Sequence, residues 1–370
     1  MYTGDTAYIQ QYYPNIVLVL DTFYPSVTDT SNQLISKGVG VSAGYGDYAF
    51  LPRTGPVTYY NALYVLALNN AASIATSLGN KNDALRWTER SQNVSAAINI
   101  NNFDPSVGAF FDGTCGSSPC PTHAQDGNSL SIVSGAVNNT IANSVLNYLS
   151  SSTSRFYGNA FYDNDVLSDG FSQRVYAFMS YFEIEARFMT GLADSALEEI
   201  RRLYGWMSSN DPEITMWEGI GEGGSLYEGS YTSMAHGWAT GVVPALTNYI
   251  LGVIPTGPGF KTYTIKPMPG DVKWAKGVVP TPNGPISVSW ENNSDLGLFY
   301  LSVSAPAGSS GTVFVPVANS SVPVYFDSEQ VSRGSTKRAT SATAYNDGYV
   351  SVPVEGGQSH TITVGFRQNP

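Results

Sequence analysis

The sequence predicts a multidomain chain, a toroid of helical hairpins over residues 1–253 followed by an antiparallel β-sandwich over 254–370. Three observations predict it. Apolar residues recur at helical spacing in back-to-back segments through the first part. Near Ile254 the pattern changes to short alternating runs divided by Pro, Gly and Asn. The chain has 370 residues, enough for two substantial cores.

The hairpins come in order. Leu63, Leu66, Ala67, Ala71, Ile74 and Leu78 form one stripe that stops at Gly79, and Ala84, Trp87, Val94 and Ile98 begin the next. Ser129–Gly135 and Ile141–Leu149 read as a shorter pair. Val175, Phe178, Met179, Phe182, Ala186 and Met189 share a face ending at Gly191, answered by Ala193, Leu197, Ile200, Tyr204 and Met207. A last helix starts near Pro244, which a first turn tolerates, and stops at Gly252. Helical pairs without strands fit a solenoid or a toroid. No fixed period is visible, and long aromatic, Gly-rich loops such as 208–238 favour the toroid, with a site at one mouth. The β-rich runs are Phe260–Lys266, Ile286–Trp290, Leu298–Ser304, Thr312–Val317, Val322–Phe326, Tyr349–Val354 and His360–Phe366. A sugar-binding module is the functional alternative for this sandwich.

Composition narrows the class. Charged residues make up 13%, about half the usual level, while 24 Tyr and 6 Trp enrich the chain in aromatics. That balance suits extracellular sugar-handling proteins. A formal net charge of -11 disfavours nucleic acid and anionic membrane surfaces as partners. No apolar run reaches the ~18–20 residues that span a bilayer. Cys115 and Cys120, spaced around Gly and Pro, suit a small disulfide loop; the alternative is two unrelated thiols. Sequons begin at Asn93, Asn138, Asn292 and Asn319. Together these features favour a secreted glycoprotein, although the chain carries no signal peptide. Two Cys and the scattered His123, His236 and His360 make no zinc ligand set, and neither metal nor cofactor is expected. Asp163 and Asp165 alone are weak evidence for calcium.

The richest segment is Ile214-Thr-Met-Trp217-Glu218-Gly-Ile-Gly-Glu222-Gly-Gly224. An indole offers a flat platform for the CH face of a sugar, the glycines let backbone approach a ligand, and a carboxylate can deprotonate a water. The plain alternative is a loop with one buried Trp and two solvated acids. His236 and Trp238 follow in Ala235-His-Gly-Trp238. A lone His is more often structural, but its place beside Trp238 suits hydroxyl binding. Asp5, Asp47, Asp126, Asp163, Asp165 and Asp169 also lie in loop-like contexts, and most are expected to be caps or turn residues.

At these residues the chain resembles the α-L-rhamnosidases. Thr215-Met-Trp-Glu218-Gly, Ala235-His-Gly-Trp238, Pro244-Ala-Leu and Tyr249-Ile-Leu-Gly252 look like the end of their catalytic domain. Ile265-Lys-Pro-Met-Pro-Gly-Asp271 and Thr281-Pro-Asn-Gly-Pro-Ile286 look like the start of their C-terminal β-domain. The resemblance implies an (α/α)6 toroid that hydrolyses terminal α-L-rhamnose with inversion, acting on rhamnosylated glycosides or plant polysaccharide. It implies Glu218 as general base, His236 on sugar hydroxyls, and Trp217, Trp238 and Glu222 at the pocket. Tyr2-Thr-Gly-Asp5 resembles the family's Trp-x-Gly-Asp element, which implies that Asp5 contacts the sugar ring and that the general acid falls before Met1. The chain is then expected to be N-terminally truncated and weakly active or inactive alone, with Asp47 as the first substitute acid to test. The rival readings are a related toroid hydrolase or polysaccharide lyase on another sugar, and a non-catalytic sugar-binding protein.

Overall fold

The structure, a computed structural model, describes residues 1–36, 51–211, 213, 215–331 and 345–366. Asp47 lies outside the described residues. The chain divides into two compact units, Thr6–Val242 and Met1–Asp5 with Val243–Pro370. No helix among the described residues is long and apolar enough to cross a membrane.

The first unit is helical. Thr6–Leu18 runs through the wider turn Val19–Phe23 into Tyr24–Val27. Asp21, on that turn, accepts from the Trp87 indole at 2.9 Å and from Arg86, tying this rod to the helix Lys81–Asn101. Thr58–Ser77 packs along Lys81–Asn101 as a hairpin. Gly79 between them has φ +81, a left-handed turn that a side chain would strain, so the predicted stop is a backbone requirement. Gln125–Val133 and Asn139–Ser152 make the shorter pair, and Ala177–Met189 and Ala193–Asn210 the next. Leu68, Ala71, Ala75, Val94, Ile98 and Leu146 share one buried core. Tyr157, Val175, Leu203, Met207, Trp217 and Ile220 form another, which roots the Trp217-Glu218 loop in the helices.

The disulfide Cys115–Cys120 closes a small ribbon of Thr114–Cys115 paired with Ser118–Pro119. The ribbon holds Asp112 in place, since the Asp112 N–H donates to the Thr122 carbonyl at 2.9 Å. A loop of this length restricts the unfolded chain modestly. Replacing both cysteines with Ser is expected to cost about 2 kcal/mol, read from the urea unfolding midpoint.

The second unit is a two-sheet sandwich. One sheet has five strands in the order Val253–Pro255, Thr262–Ile265, Ser310–Pro316, Tyr349–Glu355, Tyr345–Asn346. The other has six: Trp274–Val279, Ile286–Asn293, Leu298–Ser304, Ser359–Val364, Val324–Phe326, Glu329–Gln330. Alternation puts Ile286, Val288, Trp290, Phe299, Leu301 and Val303 inside. The sandwich is antiparallel as expected, except that Thr262–Ile265 pairs in parallel with Ser310–Pro316. The last helical turns after Val243 group with the sandwich. The Trp290 indole donates to the Ile250 carbonyl at 2.8 Å, and Met268 N–H donates to Tyr249 at 2.8 Å.

Candidate active site

Two extended segments carry the loop chemistry. Gly219–Ile220 pairs antiparallel with Val175–Tyr176, at the start of the helix Ala177–Met189. The residues before it lie against 233–236: Glu218 N–H donates to the Ser233 carbonyl at 2.8 Å, and His236 N–H donates to the Met216 carbonyl at 2.9 Å. Backbone pairing alone therefore brings the Trp217-Glu218 and His236 segments together across the intervening loop.

Glu218 is half-buried and held by neutral donors. Its Oε2 accepts from Ser233 N–H at 3.3 Å, and the Tyr227 hydroxyl donates to its carboxylate. Burial first, then the Glu218 hydrogen bond and charge, push the Tyr227 phenol well above its ordinary value, so Tyr227 stays a donor. Tyr176 packs edge-on to Tyr227 at 5.4 Å, and burial lifts its phenol to about 12. Gly219 permits this closure, because a Cβ there would stand 2.8 Å from the Tyr227 ring and 3.0 Å from that of Tyr176. Arg174 completes the wall, lying over the rings of Phe171 and Tyr227 and pairing with Glu228 at 2.9 Å.

Trp217 is 4% exposed and serves as an anchor, with its indole N–H on Asp211 at 3.1 Å. Asp211 also accepts from the Thr215 hydroxyl and from the backbone N–H groups of Glu213 at 3.0 Å and Thr215 at 3.1 Å. The Thr215 hydroxyl and the Trp217 indole hold its carboxyl down at about 2. Its contribution to loop order is then full above the ordinary Asp value of about 4 and is lost as pH falls towards 2. Asp211→Ala is expected to loosen the loop and expose Trp217, read as a red shift of tryptophan emission.

Trp238 is 55% exposed, packs on Phe178 at 4.9 Å and meets the His236 ring edge-on at 5.5 Å. The His236 Nε2 is buried and has no hydrogen-bond partner within the protein. A buried ring nitrogen left this way is a ready partner for a ligand hydroxyl. Glu222 is exposed at the head of the single turn Glu222–Gly224, where Gly224 lies flat against Trp206. Asp5 is exposed and belongs to the sandwich unit.

Three further loop acids, Asp163, Asp165 and Asp126, have structural partners, and Asp169 is exposed. Asp163 accepts from the His123 ring at 2.8 Å and from Tyr148 at 2.6 Å, with Asp104 on the other ring nitrogen at 3.2 Å. Asp165 accepts from Ser172. Asp126 sits in the first turn of Gln125–Val133 with Arg53 at 2.7 Å. Among the described residues no group of three or more His, Cys, Asp or Glu is placed to hold a metal ion. Sequence reasoning missed Tyr227, Tyr176, Arg174 and Asp211. Tyr227 and Asp211 lie in the aromatic, Gly-rich loop 208–238, whereas nothing local marks Tyr176 or Arg174.

Helical hairpins followed in the chain by a β-sandwich are the architecture of the six-hairpin glycosidase class. Comparison with known proteins gives the family. Residues 1–156 match the bacterial α-L-rhamnosidase six-hairpin glycosidase domain, and residues 252–324 match the bacterial α-L-rhamnosidase C-terminal domain. The chain belongs to the α-L-rhamnosidase family. It is 46% identical over 74 residues to an α-L-rhamnosidase of Alteromonas sp. (strain LOR), covering 20% of this chain and 8% of that protein. The Dictyoglomus thermophilum α-L-rhamnosidase structure superposes with a TM-score of 0.70 over 98% of the chain at 18% identity. The family GH78 rhamnosidase of Bacillus sp. GL1 does so with 0.64 over 80% at 26% identity. The chain spans 38% and 30% of the lengths of these two structures. Glu218 and His236 fall between the two matched segments.

Proposed function

We propose that this chain forms part of an inverting α-L-rhamnosidase that removes terminal α-L-rhamnose from glycosides, with Glu218 as general base. Inversion requires one carboxylate to take a proton from water as the water oxygen attacks the anomeric carbon, while an acid protonates the leaving oxygen. What supports Glu218 as the base is its setting. Among the described residues, Tyr227 and the Ser233 N–H, both neutral donors, hold it and leave a lone pair for water. His236 Nε2 supplies an uncommitted hydrogen-bonding group on the neighbouring segment, and Trp238 an exposed indole for the apolar face of the sugar. We assign Asp47 as the first carboxyl to test as the acid. The enzyme is further proposed to be secreted and glycosylated, a reading supported by the disulfide and by the exposed Asn93, Asn138 and Asn319.

Two observations weigh against a lyase. A lyase base must lose its proton readily, and the Tyr176 and Tyr227 phenols are both shifted the other way. Arg174, the cation nearest these rings, is already paired with Glu228.

The stereochemical test is proton NMR of p-nitrophenyl α-L-rhamnoside hydrolysis at high enzyme concentration. β-L-Rhamnose is expected as the first-formed anomer. α-L-Rhamnose first, or an unsaturated product, would overturn the proposal.

A further inference from the structure

The six-stranded sheet carries a second feature that the catalytic reading leaves unused. Register sets Trp274 opposite Glu291, and Glu291 opposite Tyr300, in one row across three neighbouring strands. The row lies on the outer face, because Trp290 and Phe299, one residue along, are buried. Trp274 is 68% exposed on the edge strand. An indole there departs from the polar-out alternation of a sandwich. Trp274, Glu291 and Tyr300 line a cleft of about 690 Å³ together with Asn293, Asp295 and Phe366. Beyond the row, Ser289, Ser302 and Thr361 continue the same face as a shelf of small hydroxyls, with Lys276 beside them on the edge strand.

We propose that this cleft binds a neutral pyranose chain. Two aromatic rings separated by a carboxylate provide apolar platforms with a hydrogen-bond acceptor between them, which matches the alternating CH and OH faces of successive sugars. The row crosses three strands on an exposed face, which suits an internal stretch of polysaccharide. Glu291 and Asp295 outnumber Lys273 along its walls, which selects neutral saccharides over uronates. The site would hold the enzyme on a polymer while the toroid works on side-chain sugars.

The test is affinity electrophoresis of the full chain through gels containing galactomannan, xyloglucan or arabinoxylan, with polygalacturonate as the anionic comparison. Because Asn292 borders the cleft and begins a sequon, the protein is first treated with an endoglycosidase. At least one neutral polymer is expected to retard the wild-type chain. Trp274→Ala should weaken that binding at least tenfold, Tyr300→Ala should weaken it measurably, and Trp274→Tyr should restore most of it. His236→Ala, which weakens the catalytic pocket, should migrate as wild type. Three results would overturn the proposal: no retardation by any neutral polymer, unchanged retardation of Trp274→Ala, or preference for polygalacturonate. Retardation abolished by His236→Ala or by free L-rhamnose would place the binding in the catalytic pocket and overturn it as well.

Discussion

Glu218→Gln is expected to lower kcat on an aryl α-L-rhamnoside by ~10²–10⁴, the usual contribution of a positioned general base. The amide keeps the size and the acceptor oxygen of the side chain. Ser233 N–H and the Tyr227 hydroxyl therefore keep a partner, and the loop keeps its shape. What disappears is the capacity to take a proton from water. The loss should fall on kcat with KM nearly unchanged, because the substituted group acts on water and binds little of the sugar. Tyr227→Phe separates holding from chemistry. It removes one donor to the carboxylate and is expected to lower kcat far less than Glu218→Gln does. A Glu218→Gln enzyme with wild-type turnover would remove Glu218 from the chemistry.

The second large effect concerns stability. Arg53 is 2% exposed and grips two buried carboxylates, Asp112 at 2.9 Å and Asp126 at 2.7 Å, with Tyr162 donating to Asp112 at 2.9 Å. Rings of Phe161 and Tyr59 cover the guanidinium at 5.1 and 5.5 Å. Removing one partner from such a network leaves uncompensated charge in the interior, and Arg53→Ala is expected to cost about 3–5 kcal/mol. The cost also carries a pH signature. Burial, and next to it the Asp126 charge against the pull of Arg53, leave the Asp112 carboxyl raised to about 7. A carboxyl raised in the folded state binds its proton more tightly there than when unfolded. Its stabilisation is full below about pH 4 and declines as pH rises through about 7. Urea unfolding followed by circular dichroism at pH 5 and pH 8 should therefore find Arg53→Ala less destabilised at the lower pH, where protons substitute for the lost cation. Equal losses at both pH values, or a loss below 1 kcal/mol, would refute the account of this network.

Much of the fold was legible because its signals are local. The stripe from Leu63 to Leu78 and the stop at Gly79 are both written within one helix, and so is the pair that turns at Gly191, where φ is +82. Inward alternation in Ile286–Asn293 and Leu298–Ser304 was equally plain. The first helix was missed because none of Thr6–Leu18 is fully buried, Pro14 sits inside it, and the residues that meet the core, Tyr13, Ile16 and Val17, come only at its end. The strand Trp274–Val279 was missed because its exposed positions include Trp274 and Val278, the reverse of the expected pattern. The parallel pairing of Thr262–Ile265 is a tertiary choice with no local code.

The site divides the same way. Glu218, His236 and Trp238 stood out as a motif in one loop. Their supports did not, because Tyr176 and Arg174 arrive from the segment before another helix. The Arg53 network joins residues 59 and 73 positions apart. In sequence, Phe111-Asp-Gly113 and Gln125-Asp-Gly127 look like turns. Only the fold turns Asp112 and Asp126 inward onto one cation.

The most direct test of the central claim is calorimetric binding of L-rhamnose to the wild-type chain and to His236→Ala and Glu218→Gln, which does not depend on turnover. Saturable binding is expected, weakened about tenfold or more in His236→Ala, equivalent to about 1.4 kcal/mol, and nearly unchanged in Glu218→Gln. Binding of equal strength in wild type and His236→Ala, or none at all in the wild-type chain, would contradict a rhamnose pocket at this loop.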